Sequence, residues 1–185
     1  MGEGENSYRL FMNGDLKAFE ELVVLYRKSL MLFLNGYVHS LSVAEDLASD
    51  VFLDLYVHKI HFSKNAGFKT FLFTIGRNKA VDYLRKNSHN ANTPLDENKI
   101  SSFDDISKLE DELFEGERKK ALYLALNELN SDYRAVIHLI YFEDMSNKDA
   151  AKTLKKSQKQ IYNILYRAKQ QLKNSLEKEQ IFNEK

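Results

Sequence analysis

Apolar residues recur along this chain at the three- and four-residue steps of amphipathic helices. Phe19, Leu22, Val23, Tyr26, Leu30, Phe33 and Leu34 form the first such stripe, and Asn35-Gly36 is expected to weaken or end it. Ser42 with Glu45 three residues on reads as a capping box opening a second helix, whose buried side carries Leu47, Val51 and Leu55. Phe68 to Lys86 reads as a third helix, apolar at Leu72, Ile75, Val81 and Leu84. These three would close a small helical domain ending near residue 88.

Residues 88–105 hold the chain's one Pro, many turn formers and no helical period, which predicts a flexible acidic linker. The helical pattern resumes with Leu122, Ala125, Leu126 and Leu129, breaks at Asn130-Ser131, and continues through Ala135 to Phe142. Ser146 to Asp149 is a second capping box, opening a short helix to Leu154. Ser157 to Gln160 is a third, opening a long final helix. The expected class is all-α: two small helical domains, 1–88 and 115–185, joined by a flexible linker at 89–114.

Composition narrows the classes. Seven Gly and one Pro in 185 residues leave few breakers, and the abundance of Leu, Lys, Glu and Ala favours helix. Domains of this size have thin cores. The chain has no Cys, which excludes disulfide frameworks, thiolate zinc sites and cysteine nucleophiles and makes a reducing cytoplasm the natural compartment. Its longest apolar run is the six residues Ala121 to Leu126, against the roughly 20 that a membrane-spanning helix needs. Met1-Gly2-Glu3-Gly4-Glu5 is acidic and does not read as a secretory signal, so no membrane insertion or export is expected.

The formal charge is zero, 27 basic against 27 acidic residues, which taken whole argues against a nucleic-acid binder. Segment by segment the balance dissolves. Residues 1–61 carry 5 basic and 9 acidic residues, net −4, whereas residues 62–92 carry 6 and 1, net +5. Residues 93–117 are net −7, 118–144 neutral, and 145–175 hold 8 basic residues and 1 acidic, net +7. Two basic blocks are therefore offset by acidic ones.

The second block sits on a helix-turn-helix pattern, two helices separated by Lys155, Lys156 and Ser157, a motif whose second helix enters the major groove of duplex DNA. On the final helix Ile161, Leu165, Ala168, Leu172 and Leu176 form the packing side. At about 100° per residue, Lys159, Asn163, Tyr166, Arg167 and Gln170 fall opposite, with Lys156 beside them in the turn. Such side chains suit base edges and phosphates. A merely solvated lysine-rich face is the plainer reading, and the short preceding helix, tight turn and scarcity of acids weigh against it. The first block interleaves rings with cations: Phe62, Lys64, Phe68, Lys69, Phe71, Phe73, Arg77, Lys79, Tyr83, Arg85 and Lys86. That mixture suits a single strand, whose bases stack on rings, although the same rings could simply fill a small core. Asn78, Asp82, Arg85 and Lys86 share one helix face.

Three stretches, Ala18-Phe19-Glu20-Glu21-Leu22, Ala44-Glu45-Asp46-Leu47 to Val51-Phe52, and Phe71-Leu72-Phe73-Thr74-Ile75-Gly76-Arg77-Asn78 to Asp82-Tyr83-Leu84-Arg85, resemble domain two of bacterial sigma factors of the extracytoplasmic-function (ECF) type. Leu126 to Arg134, Tyr141-Phe142-Glu143-Asp144-Met145-Ser146 and Tyr166-Arg167-Ala168-Lys169 with Leu172 resemble their domain four. The resemblance implies a dissociable specificity subunit of RNA polymerase. It places the clamp contact on Glu45, Asp46, Asp50 and Leu53. It places capture of a −10 base in the loop His61 to Phe68 with Asn78 beneath, giving Phe62, Lys64, Asn65, Phe68, Lys69, Phe71, Arg77, Asn78, Asp82, Arg85 and Lys86 as the −10 surface. Unstacking that base costs a few kcal/mol, which stacking and hydrogen bonds offset.

Lys156, Gln158, Lys159, Gln160, Tyr162, Asn163, Tyr166 and Arg167 would meet the −35 duplex, while domain four also contacts the polymerase flap. An anti-sigma factor is the implied inhibitor, and neither a cofactor nor a metal is implied. The chain departs from the family pattern at Phe71, where Trp is frequent. It departs again at Lys155 and Lys156, where a small and an apolar residue are usual, and at Gln160 and Tyr162, where Thr and a basic residue are usual.

Enzymatic readings are weak. Asp46 and Asp50 at i and i+4 lack any accompanying nucleophile or phosphate loop, and His58 and His61 lack a third ligand. The competing function is a stand-alone two-domain regulator that binds duplex DNA through the same helix-turn-helix. A pure helical interaction module is the third reading.

Overall fold

The computed structural model describes residues 2–62, 67–89 and 117–178. These residues form helices and no strand: α1 (Glu3–Met12), α2 (Leu16–Val38), α3 (Leu41–His58), α4 (Phe68–His89), α5 (Glu117–Asn127), α6 (Ser131–Ile137) running into a π-helical turn His138–Phe142, α7 (Asn147–Leu154) and α8 (Gln158–Lys178). The expected linker lies outside the described residues, save for His89 at the end of α4.

Helix α1 is not signalled by the hydrophobic pattern, because its ten residues carry only two deep anchors. Tyr8 and Phe11, one turn apart, are both fully buried. The Tyr8 ring stacks on Phe68 at 4.7 Å between centroids, and its hydroxyl donates to the Ile60 carbonyl at 2.7 Å. Burial pushes that phenol up to about 12. The helix therefore staples the entry to α4 against the end of α3.

Helix α2 is capped by Asp15, whose carboxylate accepts from Lys17 N and Ala18 N. It does not stop at Asn35-Gly36. Both residues are buried: Asn35 Nδ2 donates to Tyr123 Oη at 2.7 Å, and a Cβ on Gly36 would come within 3.1 Å of Arg134 Cδ. The helix breaker expected there is a docking position for the second half of the chain. The true end is His39, left-handed at φ 53°. The cap of α3 lies two residues before the expected Ser42: the Ser40 side chain accepts from Val43 N at 3.4 Å. On α4 the buried positions are Phe68, Thr70, Leu72, Phe73, Gly76 and Ala80, whereas Val81 and Leu84, expected inside, are exposed. Gly76 permits this close seating: a Cβ there would lie 2.8 Å from Leu30 Cδ1 of α2.

In the second half, Asn130 caps α6 by accepting from Tyr133 N at 2.9 Å, as the break in pattern predicts. Leu129, Ile137 and Ala168 make a small core of their own. Ala135, Val136, Leu139, Met145, Ala150, Ala151, Leu154 and Ile161 instead join the core of the first half as one continuous apolar cluster. Two thin cores are thereby pooled, which reduces the apolar surface each would otherwise leave wet.

Polar contacts lock the seat. Lys69 Nζ donates to the Glu143 carbonyl at 2.7 Å and lies 3.3 Å from its carboxylate, to which Ser29 Oγ also donates. The π turn presents Glu143 and sets the His138 ring against Phe33 and Phe73, with centroids at 5.6 and 6.0 Å. Among the described residues, no helix is long and apolar enough to cross a membrane, and no cluster of His, Asp and Glu could hold a metal ion.

Candidate nucleic-acid interface

The turn between α7 and α8 is built by local hydrogen bonds. Ser146 Oγ accepts from Asp149 N at 3.1 Å and donates to the Asp149 carboxylate at 2.6 Å, starting α7. Those bonds, with Lys152 close by, hold the Asp149 carboxyl below its usual value despite the opposing effect of burial. The helix ends on Lys155, left-handed at φ 53°, with Lys156 N donating back to the Ala151 carbonyl at 3.0 Å. A reciprocal capping box then starts α8: Gln160 N donates to Ser157 Oγ at 3.2 Å, and Ser157 N donates to Gln160 Oε1 at 2.8 Å. Gln160 is thus spent in part on the cap.

The inner side of α8 buries Ile161 and Ala168, with Ile164, Leu165 and Leu172 half-buried. Gln158, Lys159, Gln160, Tyr162, Asn163, Tyr166 and Arg167 are all exposed. Tyr162, Asn163, Tyr166 and Arg167 together line a shallow open depression of about 440 Å³. Lys156 stands apart, since its Nζ pairs with Asp132 at 2.9 Å and anchors the turn to α6.

The residues expected at the −10 element divide into two groups. Phe68 is buried, and Phe62 and Phe71 are half-buried and stacked on each other at 5.3 Å. With Tyr8 these rings form one aromatic cluster, so Phe68 stacks on protein rather than offering a face to a base. Lys69 is engaged by Glu143. Arg77 turns inward: its Nε is buried without a hydrogen-bond partner, and its charge opposes the rise that burial imposes on Tyr37, which still reaches about 12. Asn78 is half-buried and lies ten residues along α4 from Phe68, about 15 Å of helix. Asp82, Arg85 and Lys86 are exposed toward the end of α4, with Arg85 3.2 Å from Asp82. Lys64 and Asn65 lie outside the described residues.

On α3, Asp46, Asp50 and Leu53 share an exposed face, with Leu53 58 % exposed. Glu45 is half-buried and paired with Arg27 of α2, which ties the two helices together. Val57, 60 % exposed and one turn beyond Leu53, extends that face; the signal for it was the i, i+4 apolar pair Leu53/Val57. Glu143 is the other residue whose part the pattern did not disclose, because nothing local in Tyr141 to Met145 says which distant hydroxyl and amine its carboxylate meets.

Comparison with known proteins identifies the two halves of the chain. The family description Sigma-70 region 2 matches residues 22–90, and Sigma-70 region 4 matches residues 119–172. The chain is 28 % identical over 154 residues to the ECF RNA polymerase sigma factor SigM of Bacillus subtilis, covering 83 % of this chain and 92 % of that protein. It is 27 % identical over 169 residues to SigX of the same organism, covering 87 % and 84 %. Among solved structures it resembles the sigma factor RpoE of Bartonella quintana, crystallised with the anti-sigma factor NepR, at a TM-score of 0.68 and 23 % identity over 88 % of this chain and 98 % of that one. CnrH, in complex with the cytosolic domain of CnrY, gives 0.63 at 22 % identity over 95 % and 98 %.

Proposed function

The chain belongs to the sigma-70 family of RNA polymerase sigma factors, in its ECF group, and from that premise we propose how its surfaces divide the work of transcription initiation. It is an alternative sigma factor, a specificity subunit and not an enzyme. The observation that carries the division is that the two matched regions occur in order, with a capped helix-turn-helix whose outer face is fully exposed in the second.

In this reading α8 enters the major groove of the −35 duplex. Lys159 and Arg167 hold phosphates and base edges, and Asn163 is suited to an adenine edge. The α3 face Asp46, Asp50 and Leu53 meets the polymerase clamp, as an acidic surface with an apolar centre. Glu45 supports that face through Arg27. The −10 strand follows the outer part of α4, where Asn78, Asp82, Arg85 and Lys86 are accessible, and meets the loop before it. Residues 1–88, 89–114 and 115–185 serve as promoter-opening domain, linker and −35 domain. The compartment is the cytoplasm, where the polymerase works. An anti-sigma factor is the proposed inhibitor, on the likeness to RpoE bound to NepR.

Reconstitution tests this. The protein mixed with core RNA polymerase is expected to co-elute with it and to start run-off transcription at discrete sites, whose RNA ends define the promoter. Binding of duplex DNA by the protein alone, with no polymerase association, would instead mark a stand-alone regulator.

A further inference from the structure

The outer face of α8 carries two large rings that no packing requires. Tyr162 is 65 % and Tyr166 63 % exposed, one turn apart, and both point away from the Ile161/Ala168 side that holds the helix to the domain. Aromatic residues lose side-chain freedom in a helix, so a face meant only for water is better filled by Lys, Glu or Gln. The two rings flank Asn163 and Arg167, and these four side chains make the depression on this face. They also lie in the first half of α8, the part of a recognition helix that reaches base edges.

The surroundings identify the partner. Residues 145–175 hold eight basic residues and a single acid, Asp149, which is occupied by Ser146 and Lys152. A ring pair within such a field is matched to a polyanion with apolar groups in reach. In the major groove the apolar group is the C5-methyl of thymine.

Resting on the −35 reading above, we infer that Tyr162 and Tyr166 are specificity-determining residues that read thymine methyl groups in the −35 element. A separation of four residues along the helix is about 6 Å, on the order of two base-pair steps. The two rings therefore address thymines at separate positions, while Asn163 and Arg167 between and beside them supply the hydrogen bonds. A contact to phosphate would ignore the methyl, so a change of one methyl isolates this contact.

The test uses holoenzyme reconstituted from the full chain and core polymerase, bound to a promoter fragment it selects from genomic DNA. Each thymine of the −35 element is replaced in turn by deoxyuridine, which removes only the methyl. Loss of one buried methyl corresponds to roughly fourfold weaker binding, and this is expected at two positions about two base pairs apart. Tyr162→Ser is expected to abolish the sensitivity at one position and Tyr166→Ser at the other. Both positions are exposed, so the fold should survive, as circular dichroism will check. If base-pair substitutions in the −35 element abolish binding while deoxyuridine changes nothing, the tyrosine inference is overturned and the −35 reading stands. The inference also fails if the sensitivity persists in both variants. If the base-pair substitutions have no effect, the −35 reading itself fails.

Discussion

Replacing Glu143 tests what holds the second half of the chain on the first. The residue is only 5 % exposed, yet its carboxylate accepts from Ser29 and lies 3.3 Å from Lys69 Nζ and 3.6 Å from His138 Nε2. Burial by itself would raise its pKa. Hydrogen bonds from His138 and Ser29 and the charges of His138 and Lys69 outweigh that and hold it below the ordinary value. Glu143→Ala removes two contacts that cross between the halves. The Lys69 side chain is about a third exposed, so its ion pair contributes less than about 1 kcal/mol. The Ser29 bond ends on a buried charge and contributes roughly 1.5–3 kcal/mol. A loss of about 3 kcal/mol lowers the ratio of docked to undocked molecules by about two orders of magnitude.

Small-angle scattering and energy transfer between labels on α2 and α8 read that ratio. The variant is expected to show a larger radius of gyration and weaker transfer at unchanged helicity. Ser29→Ala, on the far side of the contact, should produce a smaller change of the same sign, and the double variant should be less than additive. The pH dependence has a definite sign. Because the folded pKa is depressed, the stabilisation is complete above the ordinary 4.5 and is lost as the pH falls through the lower folded value, so acid should open the wild type and leave the variant unmoved. Unchanged dimensions in both single variants would refute the reasoning and assign the seat to its apolar contacts alone.

Lys155→Gly should stabilise the protein by up to about 1 kcal/mol, since Lys155 holds a left-handed conformation that costs a side chain and not a glycine; a lower melting temperature would contradict this. Phe11→Ala should cost about 3–5 kcal/mol in urea unfolding, because its fully buried ring is half of what anchors α1, and a change near zero would detach α1 from the core. Asp50→Arg should weaken association with core polymerase and spare −35 affinity, with Arg167→Ala doing the reverse; intact polymerase binding by Asp50→Arg would remove the clamp assignment. Asn78→Ala should slow promoter opening more than closed-complex formation, and equal loss in permanganate footprinting and gel-shift assays would argue against its place under a captured base.

What could be read from the chain alone depended on how local the determinant was. The caps at Ser146 and Ser157 and the break at Asn130 are closed within three residues, so pattern and geometry coincide there. The inner and outer faces of α8 follow from period alone. The pattern misled wherever a residue answers to a distant partner. Asn35-Gly36 reads as a helix end because the Tyr123 hydroxyl and the Arg134 side chain it accommodates are roughly ninety residues away in sequence. Val81 and Leu84 have the spacing of a buried stripe, but α4 seats its Phe68, Leu72, Phe73, Gly76 and Ala80 side instead. The aromatic mixture around Phe68 could not be apportioned between core and surface without α1, which supplies Tyr8 as the stacking partner.

The zero net charge is a cancellation, and the structure shows that part of it is made by contact. Lys69 and Lys79 of the first basic block are held by Glu143 and by Asp54, the latter at 2.8 Å, and Lys156 of the second is held by Asp132. Among the described residues Lys159 and Arg167, on the outer face of α8, have no ion pair. The two basic blocks are therefore unequal in the docked arrangement, the outer face of α8 keeping Lys159 and Arg167 available and the start of α4 giving up Lys69. Each phosphate contact steepens the salt dependence of binding by about one unit of slope. The free protein should then bind promoter duplex weakly and with a shallow slope set by α8, and the Glu143→Ala protein, in which undocking also frees Lys69 from the Glu143 backbone carbonyl, should bind with a steeper one. Equal slopes would mean that Lys69 reaches no phosphate even when uncovered.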